Sequence, residues 1–142
     1  MFRSFLFLAV LCLPVFLTAA CAGAKAPTRD ELLHRRFVLT SVDGVPQAAS
    51  PITPDIEFNE GFRVSGRMCN RYAGQGKLEN GLLTVGQMIS TKMLCTDDAL
   101  NRLDGLLAAM LAAGARADLS GGTLTLRQGG HTLVFTARDW VH

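Results

Sequence analysis

The stretch from Arg63 to Cys95 reads RVSGRMCNRYAGQGKLENGLLTVGQMISTKMLC, and its pattern decides the fold. Together with the preceding Phe62, it opens in strict alternation: Phe62, Val64 and Gly66 share one face, while Arg63, Ser65 and Arg67 share the other, as a strand's period of two requires. Asn80-Gly81 stands between Lys77-Leu78-Glu79 and Leu82-Leu83-Thr84-Val85, the strongest short-range hairpin signal in the chain. Gly74-Gln75-Gly76 predicts a bend or bulge ahead of that hairpin. Two cysteines, Cys69 and Cys95, bracket the hairpin, and two polar clusters, Arg67-Met68-Cys69-Asn70-Arg71 and Ser90-Thr91-Lys92, lie beside them.

Downstream, the pattern changes period. Leu100, Leu103, Leu107, Met110 and Leu111 recur at spacings of three and four, which predicts one long helix with a broad apolar face. Thr96 is the expected N-cap, Asp97 and Asp98 favour the positive end of the helix dipole, and Gly114 is the expected C-cap. Asn101, Arg102, Asp104 and Gly105 largely fill the other side. Two closing strands follow, Thr123 to Arg127 and Thr132 to Ala137, joined through Gln128-Gly129-Gly130-His131.

Upstream, Phe37 to Val42 reads as a strand ending at Asp43-Gly44, a pair suited to a tight turn. Residues 47 to 54 read as a loop, and Asp55-Ile56-Glu57-Phe58 as a strand with Ile56 and Phe58 inward. Thr28-Arg29-Asp30-Glu31 has the form of a capping box opening a helix of one or two turns. Strands, one helix and further strands without βαβ alternation predict an α+β domain, a largely antiparallel, curved or cracked β-barrel-like sheet packed around one main helix.

The first 20 residues carry one positive charge at Arg3, an apolar run from Phe5 to Leu17 and small residues at Ala19 and Ala20, the form of a secretory signal. Pro14 interrupts a run already short for a membrane span. Leu17-Thr18-Ala19-Ala20-Cys21 resembles a bacterial lipobox, which makes Cys21 the acylated tether to a membrane. The expected organisation is a signal over residues 1–20, a lipidated N-terminus with flexible spacer over 21–28, and a single domain over 29–142. Ala22 after the acylated cysteine points to the outer membrane, facing the periplasm.

Charge narrows the partners. Beyond the signal, 13 lysines and arginines face 12 acidic residues, a balance that gives no footprint for nucleic acid. With Cys12 in the signal and Cys21 acylated, Cys69 and Cys95 remain as an even pair in an oxidising compartment and most simply form a structural disulfide. Zinc at the same cysteines with a histidine is the alternative, but no Cys-x-x-Cys pair supports it. No metal and no cofactor is expected.

The three histidines, His34, His131 and His142, lack any Gly-x-Ser-x-Gly elbow, and no phosphate-binding glycine loop is present, so no catalytic residue is assigned. The basic group Arg63, Arg67, Arg71, Lys77 and Lys92 suits anionic headgroups or an acidic partner, with a solvated charged face as the plainer reading of the same residues, and Arg67, Asn70, Arg71 and Lys92 are the candidate contact surface.

Gly66-x-x-Cys69-Asn70-Arg71-Tyr72-x-Gly74, followed by Ser90-Thr91-Lys92-Met93-x-Cys95 and the helix, resembles the META domain family, and within it the HslJ-type heat-shock-inducible lipoproteins of bacteria. The likeness extends from Arg36-Phe37-Val38-Leu39 through Thr132-Leu133-x-Phe135-x-x-Arg138-Asp139. It implies a small barrel around one helix and an envelope protein linked to stress response and novobiocin tolerance, with no established enzymatic activity. The barrel is also similar to that of type III secretion pilotins, which bind a peptide or acyl chain, a step that rests on fold analogy alone. Three functions follow as expectations: a non-enzymatic binding module for a hydrophobic peptide or lipid, a purely structural envelope-stabilising lipoprotein, and an enzyme of unrecognised type. The last requires Asn70, Arg71 and Lys92 to converge with an acid such as Asp139.

Overall fold

A computed structural model describes residues 23–140. The signal and Cys21 lie outside the described residues. Among these residues, nine strands and two α-helices follow in order: α1 (Arg29–Leu32), β1 (Arg35–Val42), β2 (Val45–Pro46), β3 (Asp55–Phe58), β4 (Arg63–Arg67), β5 (Arg71–Glu79), β6 (Leu82–Ser90), α2 (Asp98–Ala113), β7 (Ala115–Ser120), β8 (Thr123–Gln128) and β9 (His131–Trp140), with a single 3-10 turn (Glu60–Phe62) between β3 and β4.

Strands β1 and β3 to β9 pair antiparallel with their neighbours in sequence order, and β9 returns to pair with β1. The sheet is therefore a closed eight-stranded barrel, with β2 as a short ribbon on β1. The expected antiparallel, barrel-like sheet with one main helix is present, and its barrel is closed. The missing piece was β7, whose inward residues Ala115, Ala117 and Leu119 alternate with Arg116 and Asp118. The joint between β6 and β7 remains the narrowest, with only Leu82↔Arg116 and Leu83↔Ala115 paired.

Local chemistry explains the turns. Asp43-Gly44, Asn80-Gly81 and Gly129-Gly130 all hold positive φ at both positions, the geometry of two-residue hairpins whose twist matches their strands. The expected irregularity at Gly74 is a register shift between Ala73 and Gln75 in the β5–β6 pairing. Thr28 and Glu31 form the expected capping box. Segment 25–28 is docked rather than free: Lys25 bridges to Leu119, its carbonyl accepting the Leu119 N–H at 2.7 Å, and Pro27 is buried.

Inward side chains fill the barrel. Phe37, Ile56, Phe58, Val64, Leu124, Leu126, Leu133 and Phe135 are fully buried, and Leu100, Leu107, Met110 and Leu111 of α2 join the same core. Phe58 stacks on Phe62 at 5.5 Å and meets Phe37 edge-on at 6.0 Å. Glycines admit the closest approaches: a Cβ on Gly74 would lie 2.5 Å from Val85 Cγ1, and one on Gly76 2.7 Å from the Phe62 carbonyl oxygen. No helix among the described residues is long and apolar enough to cross a membrane.

Candidate functional site

The tip between β4 and β5 carries the motif residues, and it is braced from two sides. Cys69 is joined to Cys95 by a disulfide, with Cα atoms 5.9 Å apart. Both sulfurs are thus committed to each other and not available as thiolates for zinc. Asn70 is only 7 % exposed, so it is an interior residue and not the surface contact that its polar neighbours suggested. Its Oδ1 accepts from the Met93 N–H at 2.6 Å and the Thr91 hydroxyl at 2.8 Å, while Nδ2 donates to the Met93 carbonyl at 3.0 Å and to Asp104 at 2.8 Å. All four hydrogen-bonding positions of the amide are filled.

Helix α2 supplies the other half of the brace. Asp104 Oδ1 accepts the N–H groups of Cys69 and Asn70 at 3.0 and 2.9 Å. One turn earlier, Asn101 bonds both backbone groups of Cys95, accepting its N–H at 2.9 Å and donating to its carbonyl at 2.8 Å. Asp97, one residue later than expected, caps the helix by accepting the Ala99 N–H at 2.8 Å. The polar side of α2 therefore grips the motif tip and the strap over residues 91–95. The sequence put Asn101 and Asp104 on the side of the helix away from the apolar stripe without assigning them partners; their spacing of three was the available signal.

Arg67 and Arg71 sit directly opposite each other across β4 and β5 and line one cleft of about 510 Å³ on the outer wall. Arg36, Asp55, Glu57, Ser65 and Tyr72 complete its floor. Asp55, 7 % exposed, is the organising acid. Its carboxylate accepts from Arg36 Nε at 2.7 Å and from the Arg67 N–H at 2.9 Å, and its carbonyl accepts the Tyr72 hydroxyl at 2.8 Å. The hydrogen bond to Asp55 holds the Arg36 guanidinium above its ordinary pKa, and burial pushes the Tyr72 phenol well up. Lys92 stands exposed on the strap and lines no part of this cleft. Asp139 is bonded to Arg36 at 3.1 Å. The set of Asn70, Arg71, Lys92 and Asp139 that an enzyme reading required is not assembled in one cleft.

A second concavity of about 590 Å³ runs between the β1–β2 hairpin and the first turns of α2. Val42, Val45, Pro46, Ala99, Leu103 and Leu106 line it, and Asp43, Asp97, Arg102 and His131 form its polar rim. Asp43 accepts the Thr132 N–H at 2.8 Å and contacts His131 Nδ1 at 2.9 Å, which hold its carboxyl below the usual range.

Comparison with known proteins agrees with this architecture. The META domain model matches residues 30–140. "Heat shock protein HslJ" of Escherichia coli (strain K12) is 42 % identical over 125 residues, which covers 87 % of this chain and 89 % of the relative. A solved NMR structure 43 % identical superposes with a TM-score of 0.73 over 78 % of this chain and 94 % of its own. Another, from Burkholderia xenovorans, is 20 % identical with a TM-score of 0.67 over 92 % of this chain and 99 % of its own, a likeness of fold alone. The residues that carry the motif are those that lock tip, strap and helix together, and the family model spans nearly all of the barrel they close: the chain belongs to the META domain family.

Proposed function

We propose that this chain is a lipid-anchored cell-envelope protein of the stress response that binds a hydrophobic peptide or lipid and performs no catalysis. The observation that carries this reading is the apolar groove between β2 and α2. Its volume falls within the range of small-ligand sites, and its lining of aliphatic side chains inside a polar rim has the composition of such sites. Val45 on its wall is 67 % exposed, an aliphatic side chain that a bound ligand would shield. The heat-shock name of the relative supports the stress association. The family resemblance supports novobiocin tolerance as the phenotype to examine. Cys21 is the proposed site of acylation, with outer-membrane sorting through Ala22.

Native mass spectrometry of the purified full-length protein tests the binding reading. A retained lipid or peptide that is lost in Val45→Asp and Leu106→Glu supports it; repeated absence of bound mass from the wild type counts against it. Palmitate labelling and fractionation of Cys21→Ala beside the wild type test the anchor. A purely structural, envelope-stabilising role is the second reading. It is favoured by a barrel interior filled with side chains, including inward glycines that leave no space for a Cβ.

A further inference from the structure

The outer-wall cleft has a charge arrangement that the apolar groove does not explain. Three arginines, Arg36, Arg67 and Arg71, share it with two carboxylates, Asp55 and Glu57. Both carboxylates are already directed at Arg36, Asp55 at 2.7 Å and Glu57 at 3.5 Å. Among the described residues, the guanidinium groups of Arg67 and Arg71 have no hydrogen-bond or ion-pair partner, and Arg67 Nε is buried without one. Buried polar atoms are nearly always bonded, and like charges directly opposite on neighbouring strands destabilise a sheet. Water can solvate the exposed Arg71, but the fold itself supplies no partner for Arg67 Nε.

An anion bound between them removes both costs. Planar guanidinium forks suit oxyanions, and two forks on neighbouring strands match a tetrahedral phosphate, whose oxygens point in several directions and carry more charge, better than a planar carboxylate. Ser65 adds a hydroxyl: its Oγ accepts from Asn59 Nδ2 at 2.8 Å, which leaves its proton free to donate. We infer that the cleft between Arg67 and Arg71 is an oxyanion site that takes a phosphate group, either free or as part of a lipid headgroup. This inference does not depend on the apolar groove.

The test follows the arginine Nε–H resonances of the full-length protein in a neutral maltoside detergent, with parallel calorimetry. Inorganic phosphate, glycerophosphoethanolamine and acetate are the three probes. Saturable shifts of Arg67 and Arg71 with either phosphate probe support the site. Preference for inorganic phosphate identifies a free or monoester ligand, and preference for the diester identifies a headgroup. Removing one charge-assisted fork in Arg71→Gln weakens phosphate binding about tenfold, and Arg67→Lys, which keeps the charge but removes Nε, also weakens it. Arg63→Gln, exposed and outside the cleft, leaves affinity unchanged. No saturable shift, acetate binding as tight as phosphate, or an equal loss in Arg63→Gln overturns the assignment. Arg71 is exposed and its guanidinium unbonded, so its variant keeps the fold, which a thermal melt verifies.

Discussion

Asn70 and Asp104, far apart in sequence, are joined by two hydrogen bonds, from the Asn70 backbone N–H at 2.9 Å and from its Nδ2 at 2.8 Å. Through this pair the core helix holds the β4–β5 tip in place. Replacing Asp104 with alanine strips the Cys69 and Asn70 N–H groups and the Asn70 amide of their acceptor at once. Unmet buried donors cost about 1–3 kcal/mol each, so Asp104→Ala should lose about 3 kcal/mol in urea unfolding. Asn70→Ala should lose a similar amount, and the double variant should lose far less than the sum. Strictly additive losses would mean that the two residues act independently.

The disulfide closes a loop over a sequence separation of 26. Restricting the unfolded chain by that loop is worth about 3.5 kcal/mol in the chain-entropy model. Protein purified without reductant should show no free thiol at Cys69 or Cys95. Cys69→Ser with Cys95→Ser should lower the unfolding midpoint while native chemical shifts at Asn101 and Asp104 persist, because the hydrogen bonds of the brace remain.

Gly66 is the point of closest approach beneath the cleft. A Cβ there would lie 2.3 Å from the Asp55 carbonyl oxygen and 2.6 Å from the Tyr72 hydroxyl, which bond each other. Gly66→Ala should therefore cost about 3 kcal/mol or more, at the upper end of overpacking. Tyr72→Phe, which removes only the hydroxyl, should cost about 1–2 kcal/mol. A Gly66→Ala variant as stable as wild type would contradict the tight fit.

Glu31 provides a pH signature. Its carboxylate accepts from Lys25 Nζ at 2.6 Å and from the Thr28 N–H at 2.8 Å, and these bonds, the lysine's foremost, lower its pKa to about 2. The folded value lies below the ordinary glutamate value of about 4.3, so its contribution is complete above that pH and is lost as pH falls from there toward 2. An NMR titration of the Glu31 carboxyl should show the low inflection, and Lys25→Ala should raise it. An inflection at the ordinary value in the wild type would show that the bonds do not form in solution.

Much of the barrel was legible wherever a local rule decides the backbone. Asp43-Gly44 and Asn80-Gly81 announced their hairpins, and the leucines from Leu100 to Leu111 announced the helix, because turn chemistry and periodicity act within a few residues. Strand β7 was missed because Ala115 and Ala117 carry too little apolar bulk to mark an inward face. The cap of α2 fell one residue late because Thr96 and Asp97 are both good caps and the neighbouring strap decides between them. Asn70 was read as a surface contact because its partners Thr91, Met93 and Asp104 lie on later elements. Arg67 and Arg71 were identified as contact residues, but their shared cleft depends on strand register, which no single segment reveals.

The short docking of Lys25 against Leu119 has a consequence for reach. With acyl chains on Cys21 as proposed, only Ala22, Gly23 and Ala24 separate the anchor from the first residue fastened to the barrel, a leash that fully extended spans no more than about 14 Å. Under that proposal the domain would have no freedom to range far from its anchor: the β7 side would stay nearest the lipid, and a partner would have to come to that surface.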